Sequence, residues 1–215
     1  MKNRPLFLFG LFLAVLTSWA GFVLGSHGQL GALTPFFDEA EGQSHPARLP
    51  GFAARGQLVY ADLGCAACHT QQVRRPGYGN DQARGWGERQ SVARDYLFHA
   101  QPQLGASRLG PDLMNLASRK PQAPSAEDLH RLLYTGSAAH PAFPFLYETR
   151  EIAGEASRHA VRLTGAAAPK VGSEVVATER AQTLVAYLLN VNSGFEYPEA
   201  RPLPANAAAS PEAKK

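Results

Sequence analysis

An all-α domain carried behind a single apolar N-terminal helix is the architecture the sequence predicts. Three observations lead there. The run from Pro5 to Gly25 has no charged side chain, several later stretches repeat apolar residues at helical spacing, and no stretch alternates apolar and polar residues as a half-buried strand does. The composition agrees: 215 residues with 45% hydrophobic and 18% charged side chains describe a folded protein, not a disordered or collagen-like one. That length allows one modest domain with appendages, at roughly 100 to 200 residues per domain.

The first element is the run itself, PLFLFGLFLAVLTSWAGFVLG. Its 21 residues make about 31 Å of helix at about 1.5 Å each, which matches the hydrocarbon core of a bilayer. A cleaved secretory signal competes with an anchor. Lys2 and Arg4 form its basic end, Leu6 to Leu16 its apolar core and Ser18-Trp19-Ala20 a small-x-small cleavage site. The apolar run continues through Gly21-Phe22-Val23-Leu24, past that site, so residues 1–25 are read as an uncleaved membrane anchor. Either way the basic end stays in the cytoplasm and residues from 26 onward lie across the membrane.

Residues 26–50 carry Gly, Pro and charge and are expected to form a tether, with a short apolar patch at Thr34-Pro35-Phe36-Phe37. The domain is placed at 51–197. Its first helix is expected over Ala53 to Ala66, with Leu58, Val59 and Leu63 as apolar positions and a glycine near its end. Ser125 caps a second helix, followed by acidic Glu127 and Asp128 and then Leu129, Leu132, Leu133 and Tyr134. Thr178 to Val191 is the clearest helix, with a Thr cap and Leu184, Val185, Tyr187, Leu188 and Val191 at helical spacing. Gly and Pro are frequent between Thr70 and Leu113, which predicts wrapped loop. Glu151 to Gly172 is expected to be a loop open to neighbouring subunits. Residues 198–215, rich in Ala and Pro, are expected to be a disordered tail.

The net charge of +3 comes with no basic block or basic helix face, so nucleic acid is excluded as a partner. The chemistry lies in the chain's two cysteines. Cys65-Ala66-Ala67-Cys68-His69 is C-x-x-C-H, the attachment signature of c-type haem. Thiols one helical turn apart can each add to a vinyl group of the porphyrin, and the adjacent His then lies under the iron as its proximal ligand. The motif follows an expected helix in a chain sent across the membrane, where such haem is attached. A zinc site lacks further close ligands, because no cysteine remains and His27, His45, His99, His130, His140 and His159 form no H-x(3–5)-H pair. A thioredoxin-like site lacks its preceding strand, and a plain disulfide leaves His69 unexplained. One covalently attached haem is the expectation.

Beyond the motif, the sequence resembles the mono-haem subunit II of cbb(3)-type cytochrome c oxidases. The matching residues are Gly56 to Tyr60, Cys65 through Thr70-Gln71-Gln72-Val73-Arg74, Arg84, Gly87, Ser91-Val92, Asp95-Tyr96, Leu104-Gly105 and Arg108 to Leu113. Pro144, Tyr147-Glu148, Val175 to Thr178 and Ala186 to Leu189 continue the pattern. The resemblance implies a class I cytochrome c domain on one transmembrane helix in the bacterial inner membrane, facing the periplasm. It implies partners too: the haem-copper catalytic subunit, a further cytochrome c subunit and a donor cytochrome whose electrons are relayed toward oxygen reduction. The subunit itself makes and breaks no bonds. By the same resemblance the Pro111 carbonyl accepts the N–H of His69, fixing the proximal imidazole as outer partners of metal-bound His commonly do.

One departure stands out. In that family the sixth iron ligand is a methionine just before a proline, and here the corresponding position in His140-Pro141-Ala142-Phe143-Pro144-Phe145-Leu146-Tyr147 holds Phe143. Met1 precedes the anchor and Met114 is expected in the core. His140 is the nearest ligand-capable side chain, and a surface His and a sixth ligand are both open readings for it; His99, His130 and His159 have no motif support. Loss of the thioether lowers the reduction potential relative to a Met/His haem. An open iron would instead take CO or NO, so a membrane-tethered haem sensor is the alternative to electron relay. A peroxidase-like enzyme is a third reading, without a recognisable distal acid/base set. Among Arg74, Arg75, Arg84, Arg89, Arg94 and Arg108, one or two are expected to pair with haem propionates and the rest to be solvated; Trp86 and Tyr96 are expected to pack in the core.

Overall fold

The computed structural model describes residues 3–201. Lys2, in the basic end of the apolar segment, and the 202–215 part of the expected tail lie outside the described residues. The chain divides into two units, 1–45 and 46–215.

In the first unit, α1 (Arg4–Trp19) runs through a π-turn at Ala20–Leu24 into α2 (Gly25–Leu30). Together they form one 27-residue helix, none of whose most apolar 18-residue window is buried and whose mean hydropathy there is 2.2. It is long and apolar enough to cross a membrane. The helix outlasts the expected anchor by five residues, because Gly25 to Leu30 hold no proline and continue the backbone ladder. The expected tether is also more structured than its composition suggests. Phe36–Asp38 (β1) and Gln43–His45 (β2) pair antiparallel, Phe36 opposite His45. Asp38 starts the turn by accepting the Ala40 N–H on Oδ1 at 2.9 Å, and Gly42 closes it at a φ of +65°.

The second unit is built on α3 (Gly51–Asp62), α4 (Ala126–Thr135) and α5 (Glu179–Asn190). α3 lies against α5, and the residues it buries are Ala53, Gly56 and Tyr60. The expected apolar stripe is therefore displaced: Val59 and Leu63 reach the core only in part, and Leu58 is 71% exposed. Small residues explain the choice of face, since a Cβ at Gly56 would fall on the Thr183 carbonyl and within 2.7 Å of the Tyr187 Cβ. Close approach of the two helices brings Tyr60 and Tyr187 edge to face, 5.5 Å between ring centres.

α4 begins as expected at Ser125, whose Oγ accepts the Asp128 N–H at 3.1 Å while the Asp128 carboxylate accepts the Ser125 N–H at 3.1 Å. α5 starts on Thr178 and buries Leu184, Val185, Tyr187 and Leu188. Two features correct the all-α expectation: the β1–β2 hairpin and a second antiparallel pair, Tyr147–Glu151 (β3) with Ser173–Ala177 (β4). β4 carries β-branched Val175 and Val176 and buries Val175 and Ala177 against the helices. The connection between the strands is not a free loop, because Val161 donates its N–H to the Val175 carbonyl at 2.8 Å and is itself buried.

At both ends the domain reaches past the expected 51–197. Leu49 packs on the core. Pro198–Ala200 form a 3-10 turn, Ala200 is buried, and Glu199 accepts from Arg94 at 2.5 Å. Tyr60, Tyr187, Tyr197, Met114, Leu146 and Leu184 are the largest fully buried side chains.

Candidate haem site

α3 stops at Asp62, and Gly64 takes a φ of +70° that turns the chain into a 3-10 turn at Cys65–Ala67. Within it, Cys68 and His69 donate their N–H groups to the Cys65 carbonyl at 3.2 and 3.0 Å. Cys65, Cys68 and His69 therefore share one helical turn at i, i+3 and i+4. The two cysteines are not joined to each other; Cys65 is half-buried and Cys68 exposed. Burial pushes the Cys65 thiol up to about 11.

A second segment, 104–113, crosses this turn. Gly110 donates to the Cys68 carbonyl at 2.9 Å and Leu113 to the Thr70 carbonyl at 2.8 Å. Buried Asp112 pins the crossing with one carboxylate: Oδ2 accepts from the Thr70 hydroxyl at 2.5 Å and the Gln72 N–H at 2.8 Å, and Oδ1 from the Met114 N–H at 2.9 Å. Two glycines make it sterically possible. At Gly105, with a φ of +76°, a Cβ would strike the His69 carbonyl, and at Gly110 it would occupy the His69 imidazole.

The crossing aims His69. Its Nδ1 lies 2.8 Å from the Pro111 carbonyl oxygen, the contact the resemblance implies. A carbonyl only accepts, so the proton sits on Nδ1 and Nε2 keeps its lone pair. Burial disfavours the imidazolium, against the Pro111 carbonyl, and nearby His140 disfavours it further.

His140 is the other ring at this place. Its centre lies 6.1 Å from that of His69, with 44° between the planes. Its Nδ1 is 2.8 Å from the Pro141 carbonyl oxygen, so by the same logic Nε2 is again the nitrogen with a free lone pair. Phe143 stands next in line, 6.0 Å from His140 and half-buried against the core. The ring that pairs with His69 is that of His140, and Met114 is fully buried in the core.

No model of a known protein family and no curated protein matches the chain.

The donor set fits a covalently held haem: two thiols and an imidazole on one turn, with the ring centre of a second imidazole 6.1 Å away. Leu104 and Leu109, in the crossing segment, and Phe145 expose apolar side chains. The other three histidines of this unit have partners of their own: His130 Nδ1 is 3.1 Å from the Tyr147 hydroxyl, His159 accepts from Arg158, and His99 stands edge-on to Tyr96.

Four of the six named arginines, Arg74, Arg89, Arg94 and Arg108, pair with carboxylates of this chain. Arg74 and Arg108 hold buried Asp81, with Arg108 Nη1 at 2.5 Å, and Arg89 holds Asp95 at 2.6 Å. Burial alone would raise the Asp81 carboxyl, but the Arg108 and Arg74 donors outweigh it and hold it below the usual range. Half-buried Trp86 is ringed by Arg84, Arg108 and Arg119, all within 5.7 Å of its ring centre. Tyr96 donates its hydroxyl to the Gln71 carbonyl at 2.7 Å. Sequence reasoning missed Arg119, which donates to the Asp112 carbonyl, and the bracing role of Asp112. An acidic residue directly after an expected His-binding carbonyl was the available signal.

Proposed function

We propose that this chain is a membrane-anchored mono-haem c-type cytochrome that relays electrons to the catalytic subunit of a haem-copper terminal oxidase. In this reading it belongs with subunit II of the cbb(3) type, with its haem domain on the periplasmic side of the bacterial inner membrane. The observation that carries the reading is Cys65, Cys68 and His69 on one turn with the His69 Nδ1 held by Pro111. When bound, the haem supplies a site that takes one electron from a reduced donor cytochrome and gives one to the oxidase.

Each residue then has a defined task. Cys65 and Cys68 would hold the haem by adding their S–H groups across its two vinyl groups, sulfur to one carbon and hydrogen to the other, with no oxidant needed. His69 offers Nε2 to the iron. Pro111 keeps the imidazole oriented and raises its basicity. The apolar helix Arg4–Leu30 tethers the domain near its acceptor and removes the entropy of finding it in solution.

A membrane-tethered CO or NO sensor is the second reading, favoured by the absence of a methionine at Phe143. Detergent extraction separates the two. Electron relay predicts that the chain co-purifies with a many-helix haem-copper subunit and is reduced by a donor cytochrome. A solitary protein that binds CO contradicts it.

A further inference from the structure

We propose that His140 is the second axial ligand, so that the iron is held between two imidazoles, His69 and His140. This rests on the haem reading above and adds what closes the iron's other side.

The spacing comes first. With each ligating nitrogen about 2 Å from a shared metal and about 1 Å from its own ring centre, two imidazoles across one metal have centres about 6 Å apart. The observed separation is 6.1 Å. Ordinary ring pairs in this chain reach similar separations, His140 and Phe143 at 6.0 Å among them, so the spacing permits a shared metal and the nitrogen chemistry has to select it.

The nitrogen chemistry comes second. Both rings commit Nδ1 to a proline carbonyl at 2.8 Å, one to Pro111 and one to Pro141. Each therefore presents Nε2 as the donor, with its tautomer fixed by the bond on the other side of the ring.

Preorganisation comes third. The loop that carries His140 is closed on itself: Ser137 donates to the His140 carbonyl at 2.8 Å, and the His140 N–H returns to the Ser137 carbonyl at 3.2 Å. Gly136 enters it at a φ of +66°, where a Cβ would crowd the His140 carbonyl at 2.8 Å and the Ala142 nitrogen at 2.9 Å. At its exit the Phe143 N–H bonds the Leu133 carbonyl of α4 at 2.7 Å. The imidazole is held in place with little freedom left to lose on ligation.

Two strong-field nitrogen ligands fill both axial positions, so no open coordination site remains for CO, and the potential lies below that of a Met/His haem. The full-length protein, matured with covalent haem in detergent, tests this by absorption spectra of the reduced form with and without CO, together with a redox titration. Bis-imidazole ligation predicts a low-spin spectrum unchanged by CO. His140→Ala should become high-spin and CO-binding, and added imidazole should restore the low-spin spectrum. His140→Met should stay low-spin, gain the absorption of a sulfur-to-iron bond when oxidised, and shift the potential upward.

A wild-type protein that carries haem but binds CO at once, or a His140→Met spectrum and potential identical to wild type, overturns the inference and leaves the haem reading intact. Failure to attach haem overturns that reading itself, and the inference with it.

Discussion

Two segments meet at His69, and they are held in different ways. The 104–113 segment is woven into the chain: its backbone bonds Cys68 and Thr70, and buried Asp112 braces three donors. The 136–143 loop is closed mainly on itself, with Ser137 and His140 bonded to each other and one bond from Phe143 back to α4. The first segment is part of the core, and a change there costs folding. The second is a local device whose tip residue can be exchanged while the fold stands.

The comparison breaks hardest at Gly110. Gly110→Ala places a methyl group where the His69 imidazole lies, and overpacking of that kind should cost about 3 kcal/mol, read as a fall in the denaturant midpoint. Asp112→Ala leaves the Thr70 hydroxyl and the Gln72 and Met114 N–H groups without their acceptor. It should cost about 2 kcal/mol by the same measurement. A cost in either variant no larger than that of an exposed substitution would contradict the distinction drawn between the two segments.

Asp81 sharpens the comparison by pH. Its folded-state carboxyl sits below its ordinary value of 3.8 because Arg108 and Arg74 donors outweigh its burial. Its contribution to stability is therefore present above that value and is lost as pH falls through the folded-state pKa. Asp81→Asn should be less stable than wild type at neutral pH and converge with it in acid. Parallel curves from neutral pH downward would contradict the assigned cause. Smaller again is Ser125→Ala, which removes the α4 cap and should cost about 1 kcal/mol. Smallest is Glu88→Gln, which breaks an exposed pair with Lys120 and should leave the unfolding midpoint unchanged.

The turn of Cys65, Cys68 and His69 and its contact with Pro111 were legible in the sequence because their spacing is local and rigid. C-x-x-C-H needs one turn of chain, and Gly105 and Gly110 are glycines because His69 occupies the space where their side chains would be. Helices α4 and α5 were legible through Ser125, Thr178 and their apolar spacing, where propensity and packing agree. The packing face of α3 was not, because Gly56 gains its position from close helix contact and not from hydrophobicity. The β3–β4 pair was missed because Tyr147–Glu151 exposes all but its first residue, so no apolar alternation marks it.

His140 was only half legible. It stands directly before a proline, as Phe143 does, and only the folded loop separates the two by setting His140 beside His69.

On the proposed function, a haem is fixed covalently to Cys65 and Cys68. The intact mass of the chain, expressed with a c-type haem attachment system and measured under denaturing conditions, tests it most directly. The account predicts the chain plus one haem, and for the Cys65→Ala, Cys68→Ala double variant the chain alone. A wild-type protein at its bare mass, with both thiols free to alkylate, would contradict it.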